Sequence, residues 1–339
     1  MKDESTRSWT QSLLLEPTYG FGTSSPRNPT LREVVLEFVD AVAFWKDAPR
    51  LLAVVVAAYH LVALSVFLLF LGRFRSISNV AIVVIVSTAI GFVYNTIWYH
   101  RYCSHRAFRF RSIWFARLFL WTNPLGFREE NFVIPHRIHH SISDQAGDPY
   151  GPHLGWLGSY LAGESNQKMN RDIGPKDYDR LSRSLQHIGF LNSSYRQFQK
   201  TGSVENVWHY VARLVLANLF WLSAAYAVGR WPGVVMWISA VFLFSFMLRD
   251  FNYRGHGGPF LSARKGAPIN QAYYGLLAGE WHANHHMHPA LARSGLAWWQ
   301  VDIPYWIIRA LSFCGVIAHY NSLANDDEAG RSLDSPQPA

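Results

Sequence analysis

Nine of the fifteen histidines in this chain fall into four short groups along the sequence. The groups are His100 and His105; His136, His139 and His140; His256; and His282, His285 and His286. Neutral imidazole is the commonest protein ligand for metals, and a closed tetrahedral site takes only four ligands. Nine imidazoles therefore exceed the needs of one ion and predict a site for two.

The spacing within the groups predicts helices that present the rings together. The second and fourth groups both read His-x2-His-His, which places three rings on one face of an α-helix. His100 and His105 point away from each other on an unbroken α-helix, so we expect this pair where a helix ends. Asn252 precedes His256 by one helical turn and can share its face. Such a nitrogen-rich set suits iron, zinc, copper or nickel.

The composition is typical of a membrane protein. Half of the 339 residues are apolar, and only 16% are charged, against about a quarter in an average soluble domain. The net charge of +8 is scattered around the apolar segments. It favours anionic lipid head groups or an anionic substrate over nucleic acid. The two cysteines, Cys103 and Cys314, predict no disulfide framework and a reducing compartment.

Four apolar runs are long enough to cross a hydrocarbon core about 30 Å thick. They cover residues 51–71, 77–98, 207–228 and 231–248 and pair into two hairpins. The shorter or interrupted runs 113–125 and 296–316 are predicted to lie at the membrane interface. The sequence thus predicts an all-α integral membrane protein with four transmembrane helices in two hairpins and a cytoplasmic helical cap that carries a histidine-rich dimetal site.

The distribution of Lys and Arg predicts the orientation. The two turns opposite the histidine groups carry only Arg73, Arg75 and Arg230, so those turns face away from the cytoplasm. We therefore expect a multi-pass protein with both termini and the metal site on the cytoplasmic side. The chain divides into a polar cytoplasmic segment (1–49), a membrane domain (50–320) and a disordered tail (321–339).

The histidine-containing runs resemble those of the membrane fatty acyl desaturases, especially the acyl-CoA delta-9 type. They read His-Arg-Tyr-Cys-Ser-His at 100–105, His-Arg-Ile-His-His at 136–140, Asn-Tyr-Arg-Gly-His at 252–256 and His-Ala-Asn-His-His at 282–286. Asp-Pro at 148–149, Gly-Trp-Leu at 155–157 and Gly-Glu at 279–280 extend the resemblance, which covers about residues 50–320.

This resemblance implies a diiron enzyme that uses dioxygen and two electrons to desaturate a long acyl chain on CoA or on a lipid. Asn252 would hold one iron through water. A separate electron carrier of the ferredoxin or cytochrome b5 type would be a partner, as would the bilayer, but not nucleic acid. The iron ligands would be His100, His105, His136, His139, His140, His256, His282, His285 and His286.

Acidic side chains near the ligands are expected to accept the second N–H of the imidazoles. The nearest in sequence are Asp148, Glu280, Asp250 and Glu129, and the resemblance supports the first two.

Three arginines stand beside ligands in the sequence: Arg101, Arg106 and Arg137. Each can meet an anionic head group, and Arg137 is the candidate for the head group of the substrate. The chain departs from the family at Trp98, where a small residue is usual, and at Tyr253, where serine is common. These departures concern the substrate more than the metal chemistry.

Three other interpretations compete with a desaturase. A hydroxylase on the same scaffold would add one oxygen atom to the chain instead of removing two hydrogens. A metal transporter would carry its ligands along the crossings, but the first and third crossings contain only His60 and His209. A zinc hydrolase needs only three protein ligands.

Overall fold

The computed structural model describes residues 9–20, 28–43, 45, 51–145, 147–161, 168–256, 270 and 272–323. This part of the chain is mostly helical. Its helices are α1 (Leu31–Val42), α2 (Leu51–Arg73), α3 (Ile77–Ile90), α4 (Ile113–Thr122), α5 (Glu129–Ile142), α6 (Gly155–Tyr160), α7 (Pro175–Leu185), α8 (Tyr195–Thr201), α9 (Val207–Arg254), α10 (Ala272–Ala278), α11 (His282–Met287) and α12 (Ile303–Phe313). A π-helical segment, Gly91–Ser104, continues α3, and β1 (Phe108–Phe110) pairs antiparallel with β2 (Ile317–Tyr320).

Three helical stretches of the described chain are long and apolar enough to cross a membrane. They are Ala53–Arg73, Ile77–Ser104 and Val207–Arg254. Neither α2 nor α3 has a separate polar face, because their few polar residues are spread around the helix. Large apolar side chains such as Leu61 and Ile85 are exposed on their outer surfaces, which fits contact with lipid.

The longest of these stretches, α9, is two antiparallel helices. Its backbone leaves the helical region at Arg230 (φ 51°, ψ −148°). Trp221 and Trp237 stack with ring centroids 4.7 Å apart, whereas on one straight helix their positions would lie about 24 Å apart. The chain therefore reverses at Arg230, between the predicted runs 207–228 and 231–248. The second half runs on to Arg254, beyond the predicted end at 248.

The remaining helices pack around the ends of these long apolar helices and form a cap there. Both short runs predicted at the interface become helices too short to cross, α4 and α12. Arg101, at the end of the π segment, is buried and lies 2.9 Å from Asp302. It also donates to Ser294 Oγ at 3.1 Å. This contact fixes the segment between α11 and α12 against the second spanning helix.

The described part of the N-terminal segment packs onto the cap. Leu13 is fully buried, and Leu14 forms an antiparallel bridge with Met169. A capping box between Thr30 and Glu33 starts α1. Residues 324–339 of the predicted disordered tail lie outside the described residues.

Candidate metal centre

Two helices of the cap carry the His-x2-His-His triplets, as their spacing predicts. The triplet of His136, His139 and His140 lies in the last two turns of α5. The triplet of His282, His285 and His286 forms most of α11. His139 and His285 are fully or almost fully buried, whereas His140 and His286 are half-buried. Each helix therefore directs three rings inward from one face.

The first histidine pair is brought together by π-helical winding. The backbone N–H of His105 donates to the carbonyl of His100 at 3.2 Å, which is an i to i+5 hydrogen bond. Five residues then make close to one turn, and the two ring centroids lie 4.9 Å apart. His105 directly follows the end of the segment, as expected, but the π winding was not predicted from the sequence.

The nine predicted histidines gather into two adjoining groups. In each group the nearest ring nitrogens all lie within 4.8 Å of one another. The five-histidine group is His100, His105, His136, His140 and His285, and the four-histidine group is His139, His256, His282 and His286.

Both triplets are divided between the two groups. In α5 the five-histidine group takes His136 and His140, and the other group takes His139. In α11 the five-histidine group takes His285, and the four-histidine group takes His282 and His286. The groups adjoin, since the rings of His140 and His286 stack at 4.3 Å.

Buried carboxylates hold the outer nitrogens of several rings. His139 Nδ1 lies 2.8 Å from Asp148, and His256 Nδ1 lies 3.1 Å from Asp144. Glu280 lies between two rings of the five-histidine group, 2.8 Å from His100 Nδ1 and 3.3 Å from His285 Nδ1. Asp148 and Glu280 were predicted, but Asp144 was not.

A tyrosine completes this outer set: the hydroxyl of Tyr150 contacts His136 Nδ1. Asp144 and Tyr150 flank Asp148 in the sequence, and the backbone N–H groups of both donate to the Asp148 carboxylate. One short loop therefore orients rings of both groups.

The inner nitrogens face each other in a way that fits a bound cation. The Nε2 atoms of His139 and His256 lie 3.1 Å apart, and those of His140 and His285 lie 2.9 Å apart. Because His139 and His256 each use Nδ1–H on a carboxylate, a neutral ring keeps its lone pair at Nε2. Two facing lone pairs cannot form a hydrogen bond, but both can donate to one metal ion.

Burial keeps several of the nine rings neutral. Desolvation, followed by the charge that neighbouring imidazoles would add, holds the pKa of His136, His282 and His285 well below the ordinary value. The same causes lower the pKa of His286 to about 2. Their lone pairs are therefore available near neutral pH.

A model of the fatty acid desaturase family matches residues 77–314, which include all nine histidines. The chain belongs to the fatty acid desaturase family. It is an oxidoreductase that acts on fatty acyl chains.

Relatives of this desaturase carry matching names. The sn-1 stearoyl-lipid 9-desaturase of Synechocystis sp. is 28% identical over 270 residues, covering 76% of this chain and 75% of the relative. Delta-9 acyl-lipid desaturase 1 of Arabidopsis thaliana is 26% identical, covering 74% and 78%. Icosanoyl-CoA 5-desaturase of Limnanthes douglasii is 26% identical, covering 69% and 62%.

Two of the acidic candidates lie away from the histidines of this desaturase. Asp250 contacts the hydroxyl of Tyr160 and lies 2.9 Å from Arg254. Glu129 accepts from Trp98 Nε1 at 3.1 Å and contacts Arg213. These contacts are with side chains outside the two histidine groups, since sequence proximity to a ligand does not fix the side on which a carboxylate emerges.

The arginine candidates differ in their surroundings. Arg101 is enclosed by the cap, as described, so it does not meet a head group. Arg106 is exposed and donates to the Ser184 carbonyl at 2.7 Å. Arg137 is half-buried and donates to Ser184 Oγ at 3.3 Å, and burial lowers its pKa to about 10. Arg137 therefore lies at the edge of the cap beside the five-histidine group.

Trp98, where the family usually has a small residue, is fully buried. It stacks on Tyr102 and Phe119, with ring centroids 5.2 and 5.9 Å away, and donates to Glu129. The indole thus joins the π segment to α4 and α5. It fixes the start of α5, the helix that carries His136, His139 and His140.

Proposed function

We propose that this protein is an oxygen-dependent diiron desaturase that inserts a double bond into a long fatty acyl chain. The observation that carries the proposal is the division of nine buried or half-buried imidazoles into adjoining groups of five and four. Family membership supplies the reaction class. The paired groups supply the reason to assign two ions.

The five-histidine group would hold one iron and the four-histidine group the other. Asn252 lies in the last turn of α9, one turn before His256, and would complete the smaller group through water. Asp148, Asp144, Glu280 and Tyr150 would fix the rings and raise their basicity. Imidazole also suits zinc, but zinc has no redox chemistry, and desaturation is an oxidation.

A pair of irons would supply, with dioxygen and two electrons, the oxidising power to take one hydrogen from each of two adjacent methylenes. The balance is one acyl chain, one dioxygen, two electrons and two protons giving one alkene and two waters. The histidines would bind metal as neutral imidazoles and bring no protons of their own to the site. Its buried setting excludes bulk water from the reaction.

The proposed substrate is an acyl chain carried by CoA or by a membrane lipid, since relatives named for both carriers match this chain. Arg137 is the proposed contact for an anionic head group. A ferredoxin or cytochrome b5 type of carrier would bring the electrons, because the two cysteines of the chain are too few for a four-cysteine cluster.

We further propose four crossings in two hairpins: α2, α3 with the π segment, and the two halves of α9. Both termini and the metal centre would face the cytoplasm, because the opposite turns hold few basic residues. Residues 50–320 would form the membrane catalytic domain. Residues 1–49 would precede it in the cytoplasm, and 321–339 would be a tail.

The test is product analysis with purified, iron-loaded protein in phospholipid bilayers, supplied with reduced ferredoxin and either stearoyl-CoA or stearoyl phospholipid. We expect loss of two hydrogens from the acyl chain, and the preferred substrate identifies the carrier. His139→Ala and His285→Ala should abolish turnover and each lower bound iron. His319→Ala, an exposed residue outside both groups, is the matched control. A product with one added oxygen would identify a hydroxylase instead.

A further inference from the structure

Helix α1 has an inner face that packs on the cap. Val34 is buried against Tyr19 and the partly buried Leu157 of α6. Glu37 is also buried and accepts hydrogen bonds from the Thr18 backbone N–H at 2.6 Å and from Lys168 Nζ at 2.9 Å. This side of α1 is therefore anchored to the cap through both apolar and charged contacts.

A second apolar face of α1 points outward. Leu31, Val35, Phe38 and Val39 lie at positions i, i+4, i+7 and i+8, which share one side of a helix. Each is between 46 and 57% exposed. These four residues form an outer stripe on a helix that is only twelve residues long. Leu36, also exposed, lies beyond Arg32 at the edge of the outer stripe.

Other exposed apolar side chains lie in the elements around α1. Trp45 follows the helix and is mostly exposed, shortly before α2 begins. Trp156 and Leu161, at the two ends of α6, are each 55% exposed, and α6 packs on α1 through Leu157. Tryptophan at such a position is typical of the boundary between head groups and hydrocarbon.

We propose that the outer stripe of α1 lies in the bilayer interface, immersed in lipid beside the end of α2. Lipid is the occupant that fits, because α1 packs against α2, whose own outer surface is apolar and exposed. The apolar surface thus continues from a spanning helix onto α1. An amphipathic helix of this kind buries its apolar face at the acyl boundary and keeps its charged side in water.

The charges around the outer stripe indicate which lipid is needed. Arg32 borders it, while Glu33 and Asp40 lie on the far side, so α1 does not carry an excess of basic residues. Burial of apolar area, rather than attraction to anionic lipid, would hold the helix in place. The surface should therefore insert into bilayers of phosphatidylcholine alone.

The test measures the lipid contact of α1 directly. In a Cys314→Ser background, which leaves only buried Cys103, Phe38→Cys and Asp40→Cys each receive an environment-sensitive fluorophore. Asp40 is the matched control, since it lies about 160° around the helix from Phe38. In full-length protein in phosphatidylcholine bilayers, the label at 38 should emit at shorter wavelength and be quenched by brominated acyl chains. The label at 40 should not.

Equal, water-like emission from both positions would overturn the proposal. So would a shift at 38 that grows with the number of chains per vesicle, because it would indicate a second copy on the outer stripe. Val35→Cys repeats the measurement if the Phe38 variant misfolds, and unchanged iron content reports an intact cap. Because the readout requires no turnover, its failure is distinguishable from failure of the proposed chemistry.

Discussion

His139 and His256 present their Nε2 atoms to each other at 3.1 Å, and a separate carboxylate contacts the Nδ1 atom of each ring. Asp148 holds the ring on α5, and Asp144 holds the ring at the end of α9. Since both carboxylates come from the loop after α5, that loop joins the cap to the end of α9. The orientation of the four-histidine group thus depends on a few residues that are not themselves ligands.

We expect Asp148→Asn to lower iron affinity or activity by about 10 to 100-fold. The Asp148 carboxylate accepts from His139 Nδ1 and from two backbone N–H groups, and an amide retains only one acceptor oxygen. Iron per chain and turnover measure the effect. Asp172→Asn, an exposed acid, is the control. Full iron content and turnover in the Asp148 variant would show that the carboxylate is dispensable.

Glu280→Gln should weaken the five-histidine group selectively, because its carboxylate contacts His100 and His285. We expect loss of iron from that group and retention in the other, with turnover lost because the reaction needs both. Metal analysis together with Mössbauer spectroscopy on iron-57 protein would separate the two environments. Equal loss from both groups would contradict the assignment of Glu280 to one of them.

Arg101→Met should destabilise the protein, since it leaves the buried carboxylate of Asp302 without its cation. Breaking a buried ion pair by removing one partner typically costs about 3–5 kcal/mol. Thermal unfolding in detergent measures the loss, and the exposed Arg109→Met is the control. The double variant Arg101→Met, Asp302→Asn should recover part of the Tm, because the amide carries no charge and its oxygen can still accept from a backbone N–H of Ser294 or Tyr305. A double variant less stable than the single one would argue against an uncompensated charge as the cause.

Gly233→Ala should lower the Tm, because a Cβ there would lie 2.3 Å from the carbonyl oxygen of Ala225 across the turn of α9. The two halves of α9 would have to move apart. Gly229→Ala is the matched control, since a Cβ there meets no atom within 4 Å. We expect Gly229→Ala to leave the Tm unchanged or raise it slightly. The same Tm for both alanine variants would mean that the close approach at Gly233 does not limit stability.

His187 should make stability depend on pH. Burial, followed by the charge of Arg106, lowers its pKa to about 4 from the model-peptide value of 6.5. Between pH 6.5 and 4, His187 is protonated in the unfolded state and neutral in the folded state. The free energy of unfolding therefore falls as the pH is lowered through this range, by up to about 3 kcal/mol in total. The Tm difference between wild type and His187→Gln should therefore shrink over this range. A difference that stays constant would show that His187 does not titrate on unfolding.

The sharing of helix faces by the histidines was the most predictable part of the candidate centre, and the reason lies in helical periodicity. His136, His139 and His140 share a face wherever an α-helix forms, so their register could be read from the sequence. The assignment of each ring to the five- or four-histidine group could not, because it depends on how α5 meets α11 and the end of α9. One feature of the sequence could have identified Asp144 as a partner of the histidines: it lies four residues after His140.

The long apolar helices were predictable from apolar length, but their winding was not. The predicted span 77–98 ends within the π segment, which continues to Ser104. Nothing in the residue types of that segment distinguishes an i to i+5 hydrogen bond from an α-helical one. Similarly, Trp98 and Glu129 are distant in sequence, and only tertiary packing brings their side chains together.

The sharing of α5 and α11 between the two ligand groups has a mechanical consequence. A rigid shift of either helix moves members of both groups at once, so the groups cannot drift apart while these helices keep their shape. The pitch of two short helices, rather than the length of a loop, sets the spacing between the groups. Two metal ions held by these groups would therefore keep a constant separation.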